Sequence, residues 1–181
     1  MRVPAFVATI LFAVWQFIAL VLLVVGIPLP QFDGGRALSA SIPTCINFFG
    51  TTKKCNGLDY WQTSGNYECK TRGTIMIVGG VFAIISAVLA FIAFIFGILM
   101  VANCSCMVCV PFVFVILTLI TGLVSWAMVV STKFSKMCGV GNAKIAPHKN
   151  NSYGAGFGLI IAGWVVEVIC LGILISLVCC C

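Results

Sequence analysis

Thr74-Ile-Met-Ile-Val-Gly-Gly-Val-Phe-Ala-Ile-Ile-Ser-Ala-Val-Leu-Ala-Phe-Ile-Ala-Phe-Ile-Phe-Gly-Ile-Leu-Met-Val-Ala102 runs without one charged side chain. Crossing the hydrocarbon of a bilayer takes about 20 apolar residues at ~1.5 Å each, so this run is long enough to span and to tilt or project. Three more runs qualify: Ala5 to Ile27, Val108 to Ser131 and Ala155 to Val178. Lipid cannot hydrogen-bond a backbone, so uninterrupted apolar runs of this length must be helices. The whole chain agrees. Of 181 residues 62% are hydrophobic and 8% charged, against about 25% charge in soluble domains. So few charges cannot cover a water-soluble body, which excludes a soluble enzyme, a nucleic-acid module and a disordered tail.

Pro28 and Pro30 stop the first run, and Pro111 falls in the opening turn of the third, where a missing N–H costs little. The first run is too long for the core of a cleaved signal peptide and is expected to be retained. With four spans, both termini and the tight loop 103–107 share one face. The longer loops 28–73 and 132–154 share the other. The reading is one integral membrane domain, residues 1–181, with an all-α transmembrane four-helix bundle.

Charge and cysteine disagree about which face is outside. Of the ten Lys and Arg, all but Arg2 lie in the two longer loops, which the positive-inside rule would place in the cytoplasm. Cys45, Cys55, Cys69 and Cys138 lie in those same loops, an even number as disulfides require. Cys104, Cys106, Cys109, Cys179, Cys180 and Cys181 gather at the opposite face, where juxtamembrane thiols suit S-acylation, palmitoylation included, from the cytosol. Asn150-Asn151-Ser152 is a glycosylation acceptor usable only on the lumenal side. Taken from the residues, the two orientations stand about level.

Cys45-Ile-Asn-Phe-Phe-Gly-Thr-Thr-Lys-Lys-Cys55 reads as two short extended arms about a turn at Gly50–Thr52, with Phe48 and Phe49 favouring strand. A Cys45–Cys55 bridge across it is expected over free thiols, and would contribute ~2–3 kcal/mol, mostly through the unfolded state. Cys69 and Cys138 remain for a bridge between the loops. This segment resembles the signature of the amastins, four-span surface glycoproteins of trypanosomatid parasites. That signature has Cys, an aliphatic, Thr or Ser, Leu or Phe, Trp or Phe, then Gly, and closes on a second Cys. Cys45, Ile46, Phe48, Phe49, Gly50 and Cys55 fall in place, while Asn47, Thr52 and Lys54 depart from the usual choices and stay polar. The end of the first span, Val25-Gly-Ile-Pro-Leu-Pro-Gln-Phe32, and the lead into the last, Tyr153-Gly-Ala-Gly-Phe157, are also similar to the family's.

The resemblance implies a plasma-membrane protein with cytoplasmic termini and the longer loops outside. Its layout is similar to that of claudins, in which the first loop folds as a small antiparallel β-sheet on the bundle. It also implies a role at the parasite–host membrane boundary in contact, adhesion or lipid handling. No catalytic residue is known for the family to be carried over. The partners it implies are membrane lipids and the host-cell surface. Trp61, with Tyr60 and Tyr67, either packs on the hairpin or stands as a binding anchor.

Within the bilayer, Gly79, Ala83, Ser86, Ala90, Ala93 and Gly97 draw a small-residue seam down the second span. Gly154, Gly158 and Ala162 draw a shorter one on the fourth. Both read as bundle packing, with a homo-oligomer contact as the alternative. Glu167 is the only charged residue within the four runs. A carboxylate there costs ~2.5 kcal/mol or more, so it should face the bundle interior and carry its proton. Gln16, Thr118, Thr121 and Ser125 are its possible partners. It is either a neutral clamp between helices or, in a lipid- or ion-handling bundle, a working site. Cys106-Met-Val-Cys109 would suit a membrane thiol oxidoreductase, but it lies across the membrane from the loop cysteines and could not readily exchange with them. The lone His148 sits in a basic loop, and no metal, cofactor or catalytic constellation emerges. The chain is expected not to be an enzyme.

Overall fold

The computed structural model describes residues 3–35, 44–52, 60–63, 70–102, 108–135, 138–140, 143–145 and 152–180. Four helices dominate: α1 (Val3–Gly26), α2 (Lys70–Val101), α3 (Cys109–Phe134) and α4 (Ala155–Cys180). Each is long and apolar enough to cross a membrane. α2 starts before the apolar run does, taking up Lys70 to Gly73, and its 32 residues at ~1.5 Å each give about 48 Å against a ~30 Å hydrocarbon core. It is therefore longer than a perpendicular crossing needs.

The helices form a ring in which α1 packs on α2 and α4, and α3 packs on α2 and α4. The outward faces carry Phe17, Phe91, Val113 and Ile120 among many exposed apolar side chains, as a lipid-facing surface should. Inside, the seam on α2 is wholly buried. Gly97 lets the Phe12 ring close on α2, since a Cβ there would stand 2.9 Å from Phe12 Cε1. At Gly79 the α3 helix comes near enough for Ser125 Oγ to donate to the Gly79 carbonyl at 2.9 Å. Ser86 and Thr121 share a hydrogen bond at 2.7 Å, and Trp164 Nε1 donates to the Leu119 carbonyl at 2.9 Å. Lipid supplies no hydrophobic drive between helices, so close approach and these polar contacts hold the bundle.

The shorter seam expected on α4 is not a bundle contact. Gly154 precedes the helix, and Gly158 and Ala162 face outward, with nothing within 4 Å of a Cβ built on Gly158. Helix geometry gives the reason. At about 100° per residue, Gly158 lies ~180° and Ala162 ~140° round the axis from Glu167, and Glu167 is fully buried. Turning the one acid inward turns those two residues out.

A five-stranded antiparallel sheet sits at the long-loop end, in the order β4-β3-β2-β1-β7. Its strands are β1 (Phe32–Gly35), β2 (Thr44–Ile46), β3 (Gly50–Thr52), β4 (Tyr60–Thr63) and β7 (Ser152–Tyr153). Both long loops thus contribute to one sheet: β1 pairs with β2 at Phe32 and Ile46, and with β7 at Phe32 and Tyr153. A separate hairpin pairs β5 (Cys138–Val140) with β6 (Ala143–Ile145).

The turn expected at Gly50–Thr52 stands three residues earlier, at Asn47–Phe49, and Gly50–Thr52 is strand. Asn47 is the cause. Its side-chain Oδ1 accepts from the backbone N–H of Phe49 (3.0 Å) and of Gly50 (2.8 Å), and its own N–H donates to the Gly50 carbonyl at 3.0 Å. An Asx turn of this kind competes successfully with the strand preference of the two phenylalanines.

Candidate functional site

The turn places Phe48 under the sheet, 1% exposed, and leaves Phe49 outside, 41% exposed. Phe48 lands on the Gly79–Gly80 pair of α2: a Cβ on Gly80 would stand 2.9 Å from Phe48 Cβ, and one on Gly79 3.2 Å from Phe48 Cε1. Phe48 joins Phe32, Ile46, Met76, Ala83, Val129, Phe157 and Ile160 in one apolar cluster. One apolar cluster therefore runs from under the sheet into the sheet-side ends of α2, α3 and α4. Rotation of the sheet on the helices would expose this cluster, at ~25 cal/mol per Å² of apolar surface.

A second joint links the exit of α1 to the start of α4. Gln31 is fully buried, and its Nε2 donates to the carbonyls of Gly26 and Leu29, each at 3.0 Å. Gly154 N–H donates to the Gln31 carbonyl and Gly156 N–H to the Pro30 carbonyl, both at 2.9 Å. Gly156 can have no side chain here, because a Cβ would stand 2.5 Å from the Leu29 carbonyl oxygen. Beside this joint the Tyr153 ring stacks on Phe157, with centroids 4.2 Å apart, and more loosely on Phe32 at 5.6 Å. Lys133 Nζ lies 4.0 Å from the Tyr153 centroid, a cation–π contact worth ~0.5–1 kcal/mol at an exposed site. It ties the end of α3 to the sheet. Partial burial pushes the Tyr153 hydroxyl above its ordinary value of 10.0.

Cys45 is 1% exposed and disulfide-bonded. Its Sγ lies 3.7 Å from Asp33 Oδ1 on β1. Cys55, Cys69, Asn150, Cys104, Cys106 and Cys181 also lie outside the described residues. Cys138 stands on β5 and Cys180 ends α4 next to Cys179. Cys109, an exposed free thiol, opens α3 at the opposite end of the bundle from the sheet. Trp61 lies on β4, at an edge of the sheet.

In the bundle, Glu167 Oε1 accepts from Gln16 Nε2 at 2.7 Å. The other three polar residues weighed as its partners go elsewhere. Thr118 donates to the Phe114 carbonyl, Thr121 pairs with Ser86, and Ser125 donates to Gly79. Both α1 and α3 flank α4, but α1 packs on it more closely, and the α3 hydroxyls are committed to their own turn or to α2.

Several residues that organise the site have no role assigned from sequence: Gln31 and Gly156, inside the two stretches similar to the family's, and Gly80, Lys133 and Tyr153's contact with it. Adjacent glycines in an apolar run, and an amide set between Pro30 and Phe32, were the available signals. Among the described residues no group of His, Cys, Asp and Glu is placed to hold a metal.

Comparison with known proteins fits this architecture. A comparison with the curated proteins finds no match. The family model described as amastin surface glycoprotein matches residues 17–174, most of the chain and every element from the middle of α1 to α4. The chain belongs to the amastin surface glycoprotein family.

Proposed function

We propose that this chain is a multi-pass plasma-membrane protein with cytoplasmic termini, acting as one domain. Its sheet-bearing loops face the exterior and meet a second membrane, that of a host cell, in contact or surface organisation. The observation that carries this reading is the seating of Phe48 on Gly79 and Gly80 beneath a sheet drawn from both long loops. A sheet mounted in this way keeps a fixed pose relative to the bilayer, which a contact surface needs and a tether does not. In this reading Cys45 pairs with Cys55, supported by the β2–β3 register that sets Cys45 opposite Thr52 and by Cys45 being disulfide-bonded. Cys69 and Cys138 form the second bridge, and Asn150 carries the glycan. The thiols at the opposite face, Cys104, Cys106, Cys109 and Cys179 to Cys181, are sites of S-acylation. That assignment fits reduced cysteines at a cytosolic surface better than redox exchange with loop cysteines across the bilayer.

The test uses intact cells expressing the full chain. A membrane-impermeant amine reagent should label the loop lysines, among them Lys53, Lys70 and Lys144, without permeabilisation, and cells should attach to host-cell membranes. Cys45→Ser with Cys55→Ser at equal surface density should reduce that attachment. Loops that label only after permeabilisation would overturn the orientation, and attachment indifferent to the double variant would overturn the contact role.

A further inference from the structure

Gln16 on α1 and Glu167 on α4 are both fully buried, level with Ala90 of α2. The amide of Gln16 has two hydrogens. One goes to Glu167 Oε1 at 2.7 Å and the other toward the Ala90 carbonyl at 3.4 Å. That exhausts the donors of Gln16. Two acceptors are left, Gln16 Oε1 and Glu167 Oε2, each buried and with no hydrogen-bonding partner. Turning the amide over cannot cure the deficit, because its oxygen would then face the Ala90 carbonyl and a carboxyl oxygen. One hydrogen is missing from the site.

The side chains nearby do not supply it. On α3 the Thr118 hydroxyl is committed to Phe114, and Thr121 pairs with Ser86 of α2. Cys170, one turn along α4, is a buried free thiol, a weak donor. No Lys, Arg or His falls within the four apolar runs to balance a charge on Glu167. An unpaired charge in such a place costs several kcal/mol, whereas a neutral, hydrogen-bonded acid costs far less.

We propose that the Gln16–Glu167 pair is a proton-binding site of the bundle. Glu167 is held as the neutral carboxylic acid: its Oε2–H donates to Gln16 Oε1 while Gln16 Nε2 donates back to Glu167 Oε1, closing an acid–amide ring between α1 and α4. One bound proton supplies the missing donor and satisfies both orphaned acceptors at once. The ring joins two helices far apart in sequence without a charge in lipid. It is independent of which face of the protein is outside.

Infrared spectroscopy of the full chain in liposomes at neutral pH tests this. Glu68 is the only other glutamate, so a Glu68→Gln background with side-chain carbon-13 glutamate isolates Glu167 without altering the site. The expected spectrum has the labelled C=O band of a protonated acid, displaced when Gln16→Leu removes the ring partner and absent in Glu167→Gln. A labelled carboxylate doublet in place of that band overturns the proposal, since Glu167 is then ionised and solvated by water or a cation. Thermal stability of the same protein should not depend on exchanging sodium or potassium for choline. A rise with either alkali ion that Glu167→Gln abolishes would overturn the proposal in favour of a metal-ion site.

Discussion

Phe48 and Gly80 approach so closely that a methyl group on Gly80 would stand 2.9 Å from Phe48 Cβ. That distance is inside any real contact, and the atom met is at the root of the side chain, where no rotamer change can relieve it. Gly80→Ala must therefore lift the Asn47–Phe49 turn or push α2 aside. The expected loss is about 1–3 kcal/mol, in the range for overpacking a filled core, read as a lowered Tm in detergent. Gly79→Ala should cost less, because its methyl would meet nothing nearer than Phe48 Cε1 at 3.2 Å and Met128 Cβ at 3.3 Å, where a few tenths of an ångström of give suffice. Equal Tm values for Gly80→Ala and the parent would mean the sheet is not seated there.

Asn47 makes a separable prediction. Asn47→Ala strips the acceptor from two backbone N–H groups, at ~1–2 kcal/mol when buried donors lose a partner. Asn47→Ser should recover much of it, since a short hydroxyl can cap the same turn. The family signature carries Thr or Ser at this position. Asparagine, a departure from that pattern, caps the turn here through its side-chain oxygen. Thermal unfolding of the three proteins in one detergent decides it: Ala lowest, Ser between, Asn highest.

These two residues mark where the sequence could be read and where it could not. The spans were legible because lipid imposes a single requirement, apolar length, that each run meets on its own. The hairpin was legible as a hairpin but not in register. Phe48 and Phe49 look like strand by propensity, and the deciding contacts are a side chain capping its own turn and a glycine on a helix far along the chain. β7, two residues long, cannot announce its pairing with β1 by any periodicity. The face of α4 that carries Gly158 looked like a packing seam because small residues recur there. Only the direction of Glu167 turns it outward. That Gln16, among four polar residues, meets Glu167 follows from the closer packing of α1 on α4 and from where the α3 hydroxyls bond, neither of which the runs themselves state.

Tyr153, 36% exposed, gives the fold a small dependence on alkaline pH. Burial favours its neutral phenol, so its folded-state ionisation lies above the ordinary 10.0. Below that value the phenol is neutral in both folded and unfolded chains, and its contribution is fully present. As pH rises past it the unfolded chain ionises first, and stability drains away until the folded phenol ionises too. The Tm should be level through neutral pH and fall beyond pH 10, and Tyr153→Phe should remove the tyrosine's share of that fall while keeping the stack on Phe157 and the Lys133 contact. Identical alkaline slopes in the two proteins would place the sensitivity elsewhere.

Two glycines near the start of α4 should respond in opposite ways to the same change. Gly156 faces the exit of α1, where a Cβ would stand 2.5 Å from the Leu29 carbonyl oxygen and 2.6 Å from Gln31 Nε2. Backbone is the obstacle there, and both Gln31 bonds depend on that carbonyl's position and on Gly26. Gly156→Ala should therefore cost about 1–3 kcal/mol or more and loosen the joint between α1 and α4. Gly158 is half a turn round the helix, with nothing within 4 Å of its Cβ position. Gly158→Ala meets only lipid or solvent and restricts the unfolded chain, so it should leave Tm unchanged or slightly raised, by up to ~1 kcal/mol. Measured side by side in one detergent, a large loss at Gly158 would place a partner against that face, and no loss at Gly156 would mean the α1 exit is not packed on α4.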